Sequence, residues 1–492
     1  MRITNTMMMN STLRNVGRSK TNLAALENQM ATEKKITRPS DDPIVAIRAL
    51  SLRASLSEIK QYLDSNIPDA QSWLEVSESS LTNMDTILSD IYQYCNQGAS
   101  DQFTEQDRRS IIEVLQQYKD ALYAEANADY AGRYCFTGFK TDTSFTFLTD
   151  EDANKSYEIT EVLTGSDLDK ATIISAPVDG DSIYNIDAAD MPGGVTVHRL
   201  RLAYNTCSAE NFSALTVDGT EYAITQAVTH EEMEAIAADP GYKDQTNTIY
   251  YVHDTGELVI SDDLFGTFRN SEEISFTYQK AQFAKGDIRP EMYFDCKDIS
   301  DPDNEIVYNQ TDGGQNINYT INFNQSIRVN TLGKDTLSYK IARDIDDLCN
   351  ALQNVADIED KILKIKDKYN SEIYSEAEKA DMETMLEACE RELDYARSYM
   401  EDIFSKELTR VTGYQQTVDL QLADLGARSK RLTLTKSRLT EQNTTFSDLK
   451  SKNEDAELED TIIKYSAAST LYEAALTAAS DCVKQSLINY IQ

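Results

Sequence analysis

Proline and glycine are scarce, with 8 and 18 in 492 residues. That shortage argues for long uninterrupted elements rather than many tight turns. Histidine occurs only at His198, His230 and His253, and tryptophan only at Trp73. Seven cysteines, an odd number, stand at 95, 135, 207, 296, 349, 389 and 482 without a CxxC pair, which speaks against a disulfide framework or zinc ribbon and for small buried hydrophobes. Lysine and arginine are outnumbered by aspartate and glutamate, 47 to 83, for a formal charge of −36. Nucleic acid and anionic membrane would both repel such a chain. No apolar run approaches the roughly 18 residues a membrane span needs. "MRITNTMMMNSTLRNV" carries neither the apolar stretch nor the small-residue cleavage site of a secretory signal peptide.

What is present is unevenly spread. Residues 1–40 hold seven Lys/Arg against two Asp/Glu, whereas residues 141–310 hold ten against thirty-three. The middle therefore reads as a solvated, self-repelling surface, and the start as something else. Residues 1–40 are weakly amphipathic, with Leu13, Val16, Leu23, Leu26 and Met30 at helical spacing. Alone, such a segment is marginal, and it is expected to be disordered when free and to order against a partner.

The next stretch, "KKITRPSDDPIVAI", starts a helix. Pro39 disfavours helix at Arg38, Asp41 or Asp42 can accept orphan N–H groups, and Pro43 suits the first helical position. Helical patterning continues to about residue 96, with Leu74, Leu81 and Leu88 seven apart and Pro68 forcing a kink or restart near Asn66. A second helix is expected from about Thr104 to Ala131. "GRYCFTGFKTDTSFTF" then alternates aromatics about Gly138, the pattern of a β-hairpin.

Residues 148–335 carry strand signals, among them "KSYEITEVL", "EYAITQAV", "TIYYVHDTGELVISD" and "EISFTYQ", with one helix near His230–Ala238. Helix returns at 336–452 and breaks at "YNSEIYSEAEKADM". A helix follows to about Phe404, and after it comes the strongest seam: Val411, Val418, Leu425, Leu432, Leu439 and Phe446, all at steps of seven. After "KSKNED", residues 453–492 form a last amphipathic helix. The fold expected is α+β: an antiparallel, coiled-coil-like bundle of long helices from both ends (1–40, 41–147, 336–452 and 453–492), with an acidic β-rich domain inserted at 148–335.

Catalytic chemistry leaves no trace. "HEEM" at His230 places Glu234 where a zinc protease needs its second histidine, and the alternating Asp301, Asp303 and Glu305 have Pro302 among them and no mid-loop glycine. No nucleophile motif or phosphate loop occurs. We therefore expect no catalytic residues, cofactor or metal.

The ends point to a family. "MRIT", "ITRPSDDPIVAI", "AQSWLEVSESSLTNMDTIL" and "ANADYAGRYCFTGFKT" resemble the flagellin superfamily, on the side of its hook–filament junction members. "YSAASTLYEAALTAASDCVKQSLINYI" is similar to the family's closing helix. The resemblance covers residues 1–147 and 405–492. It implies a structural axial protein of the bacterial flagellum that joins hook to filament and seeds flagellin assembly; a filament flagellin is the alternative, and a coiled-coil surface adhesin a second. It implies as partners the other junction protein, flagellin, copies of the chain in a helical array and an export chaperone, with no nucleic acid or membrane. It implies an extracellular place on the flagellum, reached by flagellar type III export without a cleaved signal peptide. Candidate assembly contacts are Leu13, Leu23, Leu26, Leu471, Leu476, Leu487 and Ile488. Arg38, Asp41, Asp42 and Pro43 are assigned to helix initiation.

Overall fold

The computed structural model describes the backbone over residues 5–98, 104–175, 191–239, 241–310 and 314–488, and side chains within 7–480 of these apart from 105 and 175. Helices run in the order α1 (Asn5–Thr32), α2 (Pro43–Gln61), α3 (Ile67–Gly98), α4 (Glu105–Ala126), α5 (Asp150–Ala153), α6 (His230–Ala238), α7 (Phe265–Arg269), α8 (Gly333–Thr336), α9 (Lys340–Tyr369), α10 (Glu376–Glu454) and α11 (Leu458–Ile488). Strands are β1 (Asp129–Tyr130), β2 (Arg133–Tyr134), β3 (Ser156–Leu163), β4 (Asp169–Ser175), β5 (Gly193–Arg201), β6 (Leu215–Val217), β7 (Thr220–Tyr222), β8 (Gln226–Val228), β9 (Ile249–Val252), β10 (Glu257–Ile260), β11 (Ile274–Ala281), β12 (Asp295–Asp298), β13 (Ile306–Tyr308), β14 (Asn318–Asn322) and β15 (Gln325–Arg328). The fold is α+β.

Two units partition the chain. The first comprises Met1–Asp69, Thr320–Ile327 and Lys430–Gln492; the second comprises Ala70–Tyr319 and Arg328–Ser429.

In the first unit α1 and α11 pack along each other. Pro68 has its expected effect one turn upstream: a π-helical turn at Tyr62–Asn66 separates α2 from α3. A proline lacks the N–H that would continue the ladder, and a wide turn absorbs the offset. Asn66 Nδ2 then donates to Thr320 O at 2.7 Å.

The second unit contains a helical part and a β part. Leu74, Leu81 and Leu88 of α3, and Val411, Val418 and Leu425 of α10, are all 4% exposed or less. A Cβ on Gly98 would meet the Phe404 ring at 2.3 Å, so α3 ends tightly against α10. Phe404 is not a helix end: α10 runs unbroken through it from Glu376 to Glu454. The Thr104 capping box starts α4, as its sequence suggests, but the helix stops at Ala126 rather than 131.

The expected hairpin about Gly138 does not form. Strands pair earlier, Asp129 with Tyr134 and Tyr130 with Arg133, around Ala131 and Gly132, both at positive φ. Phe136, Phe145 and Phe147 are buried nonetheless. Asn127 holds their loop: its Oδ1 accepts from the N–H groups of Phe145 (2.8 Å) and Thr146 (3.2 Å), while Nδ2 donates to Thr146 Oγ1 (2.8 Å). A side-chain amide takes the place of a strand partner.

The β part has a five-stranded sheet, β4-β5-β10-β9-β8, and a six-stranded one, β13-β12-β3-β11-β6-β7. Inward residues of both share one core that includes Tyr157, Ile159, Leu200, Tyr251, Leu258, Phe276 and Tyr278, so the sheets face each other. Strand β3 alternates half-buried with buried positions, the signature of one covered face. The outer face of the five-stranded sheet is covered by α6 through Met233 and Ala237. At "HDTGEL", Gly256 takes φ +70° and any Cβ there would lie 1.9 Å from Tyr204 O. Only glycine fits.

Candidate assembly surface

The two interruptions that the sequence places far apart, after α1 and after α10, meet in the first unit. Glu33 turns the chain at φ +56°. Lys35 N–H donates to Glu454 O (2.8 Å) and Ala456 N–H to Glu33 O (2.9 Å), so Lys34 and Asp455 form an antiparallel bridge. Lys34 Nζ pairs with the Asp455 carboxylate and lies 3.7 Å from Glu454. Arg53 grips Glu454 with both prongs, at 2.6 and 2.7 Å, and Asn453 Nδ2 donates to Val45 O at 3.0 Å. Hydrogen bonds from Arg53 hold Glu454 below the usual carboxylate range, and Lys34 does the same for Asp455. Residues some 420 apart in sequence thus share one stitched joint.

Beside that joint the helix start is built as its residues suggest. Asp42 is the N-cap of α2, its Oδ1 accepting from the N–H groups of Ile44 (3.0 Å) and Val45 (3.2 Å), with Pro43 first in the helix. Asp41 accepts from Arg38 N–H at 2.9 Å and from Thr37 N–H at 3.2 Å. The bond to Arg38 is the main cause of its lowered carboxyl pKa. Arg38 contributes through its backbone in this turn.

Above the joint, α1 and α11 carry more apolar surface than their mutual seam covers. Leu26 is buried by its own chain and Leu23 is half-buried. Leu13 (56% exposed), Leu471 (65%) and Leu476 (44%) face outward. Leu487 and Ile488 lie on the last turn of α11, with side chains outside the described residues. Sequence reasoning missed a row on α2, Ile44, Ile47 and Leu50, exposed at 62–68%, and Ile463 on α11 at 69%. The three-residue spacing of 44, 47 and 50 was the available signal; the helix also carries a buried row at Ala46, Ala49, Leu56 and Ile59. Exposed apolar residues grouped this way make a candidate interaction surface. In the lower part of α10, Leu432 and Leu439 are buried and Phe446 half-buried.

The other sequence candidates are not assembled into a site. His230 Nε2 lies 3.5 Å from Glu234 on α6, and Asp301 caps its own turn at Asp303 N–H. Among the described residues no group of three or more metal-ligating side chains converges, and no helix is long and apolar enough to cross a membrane.

Residues 3–141 match the family described as the bacterial flagellin N-terminal helical region. Two curated relatives are flagellar hook-associated protein 3 of Salmonella typhimurium, 31% identical over 145 residues, and its namesake of Escherichia coli, 30% identical over 145 residues. Each alignment covers 29% of this chain and 45% of the relative, so the chain spans less than half the length of the curated relatives it matches. Solved structures with looser likeness include a putative flagellar hook-associated protein of Vibrio parahaemolyticus (14% identity, 84% of this chain and 100% of that one, TM-score 0.36). The flagellar junction protein FlgL of Legionella pneumophila gives 14% identity, the same coverages and a TM-score of 0.28. The likeness to the bacterial flagellin N-terminal helical region thus lies in residues 3–141.

Proposed function

We propose that this chain is a structural subunit of the flagellar axis, set at the hook–filament junction, where it seeds flagellin assembly and performs no catalysis. The observation that carries the reading is the paired, stitched chain ends whose outward rows, Leu13 on α1 and Leu471 and Leu476 on α11, stand exposed among the described residues. Contacts that repeat head to tail without closing generate a helical array, and rows of this kind are what such contacts bury. The partners are further copies, the companion junction protein on one side and flagellin on the other. Before assembly an export chaperone shields the C-terminal helix, and the chain leaves by the flagellar type III route without losing a signal peptide. Arg38, Asp41, Asp42 and Pro43 set the direction in which α2 leaves the joint.

Cells lacking the gene are expected to carry bare hooks and shed flagellin into the medium. A chain without residues 460–492, supplied in its place, should fail to restore filaments while the circular dichroism of its sheets is kept. Normal filaments from that truncation overturn the proposal. The second reading, a filament flagellin, is favoured by the family match to residues 3–141, which is not particular to junction proteins. It requires the purified chain to polymerise by itself on seeding, where a junction subunit stays monomeric.

A further inference from the structure

Each terminal helix carries a further row on the side turned from its own partner. On α1 it runs through Arg14, Gly17, Thr21, Ala24 and Asn28; on α11 it runs through Ile463, Ser466, Thr470, Glu473 and Thr477. Alternating steps of three and four keep each row on one face, and all ten residues are exposed. Leu26 of α1 and Ala468 of α11 are buried, and Gly17 and Thr477 each lie nine residues from them. Nine residues make about two and a half helical turns. The two rows therefore point away from the α1–α11 contact, in opposite directions.

The rows suit each other and not themselves. Arg14 and Arg18 give the α1 face positive charge, and Glu473 gives the α11 face negative charge, so unlike faces attract and like faces repel. Gly17, Thr21 and Ala24 on one side and Ser466 and Thr470 on the other are short, which lets two helix backbones come close. Gly17 stands mid-helix, where glycine is destabilising relative to alanine, and a Cβ there would meet nothing within 4 Å. Gly413 and Gly426 of α10 are equally open, so that openness counts only because of the row Gly17 lies in. Register agrees as well. α1 runs into the joint at Thr32 and α11 out of it at Leu458, so Gly17 and Glu473, each about fifteen residues from it, stand level, as do Thr21 and Thr470, about eleven away. We propose, resting on the axial reading, that the α11 row of one copy packs antiparallel on the α1 row of the next copy, with Glu473 set between Arg14 and Arg18. Opposite sides of each copy are used, so the contact repeats from copy to copy instead of closing in a pair.

The full-length chain is tested in cells that lack the gene, with filaments counted by electron microscopy. Arg14→Glu with Arg18→Glu, and separately Glu473→Arg, should each leave most hooks bare, while the purified monomers keep the parent's melting temperature because these side chains are exposed. The triple variant should regain filaments, since every contact then has both charges reversed. Gly17→Leu should slow amide exchange along α1 in the monomer and still strip the filaments. In a Cys482→Ser background the remaining cysteines are buried. There, chains carrying both Thr21→Cys and Thr470→Cys should form disulfide-linked multimers when isolated flagella are oxidised, and no internal link as free monomers. Three outcomes overturn the pairing and leave the axial role standing: charge variants with normal filaments, a triple variant no better than the variants it combines, or cysteines that link within one chain or not at all. Failure of the axial role itself is read from the truncation of residues 460–492, which none of these variants carries.

Discussion

The β sandwich and the paired terminal helices handle their apolar residues in opposite ways. In the sandwich Tyr157, Ile159, Ile274, Phe276 and Tyr278 are wholly buried by the chain itself. On the terminal helices Met7, Leu13, Ile463 and Leu471 stand more than half exposed, and on α2 Ile44, Ile47 and Leu50 do so too. A sheet pair encloses a core from two sides. Two helices touch along one narrow stripe and leave a wider arc uncovered. The difference marks where, on the proposed reading, folding ends and assembly starts: the sandwich fills its own core, while the terminal helices leave apolar rows exposed.

The largest effect that sharpens the contrast is expected from Phe276→Ala in the sandwich core. Removing a fully buried phenylalanine should cost about 3–5 kcal/mol. It is read as a lowered denaturant midpoint for loss of sheet signal, with little change in the helical signal of the chain ends. If the ends melt together with the sheets, the comparison breaks.

Next is the pH response of the sandwich. Glu161 is fully buried; its Oε1 accepts from the Tyr278 hydroxyl and from Ala203 N–H (2.8 Å), and Oε2 has no partner. Burial pushes its carboxyl up to about 7, against the pull of those two donors. Glu407 on α10, buried beside Asp344, is raised in the same direction, to about 8. A carboxyl held above its unfolded value makes the folded state bind the extra proton. Stability is therefore full below the ordinary carboxyl range and falls as pH rises from there through about 7 to 8. The loss for Glu161 alone is on the order of 3 kcal/mol. Glu161→Gln should flatten the slope of the melting temperature between pH 5 and about 8, and adding Glu407→Gln should flatten it further. An unchanged slope in the double variant refutes the assignment.

Smaller still is Asp42→Ala. Loss of the cap should destabilise α2 by about 1 kcal/mol. Faster amide exchange at Ile44 and Val45 is the readout, and Asp42→Asn should restore most of the protection.

The sequence made much of this legible, and where it failed the reasons are physical. Heptad spacing located Leu74 to Leu88 and Val411 to Leu439 because burial on one helix face leaves a period that no other element mimics. The cap at Asp42, α6 at His230 and the turn at Gly256 were readable because their chemistry is local. Strand β5 was not, since His198, Arg199 and Arg201 interrupt its apolar alternation. Arg199 is buried and Arg201 mostly so, on ion pairs with Glu257, Asp344 and Asp347, and partners 50 to 150 residues away leave no mark on hydropathy. The hairpin about Gly138 was misplaced for a related reason: aromatics at period two lie in a loop pinned by Asn127. The joint at Lys34 and Asp455 was invisible too. Each half looks like an ordinary break, and only the fold brings them together.

The least effect on the single molecule, and the one that separates the two regions most cleanly, belongs to Leu471. At 65% exposure its side chain has little burial to lose, so Leu471→Ala should change the stability of the monomer by less than about 0.5 kcal/mol. On the proposed reading, the same substitution in cells should shorten or abolish filaments, because it removes apolar surface assigned to a contact with a neighbouring copy. Leu26→Ala is the control: Leu26 is buried within the chain, so its truncation should destabilise the α1–α11 pair by about 2 kcal/mol or more. If Leu471→Ala leaves filaments normal, the outward row is not a contact; if it destabilises the monomer as Leu26→Ala does, the row is not outward. Either result dissolves the contrast between a self-sufficient sandwich and ends that wait for a neighbour.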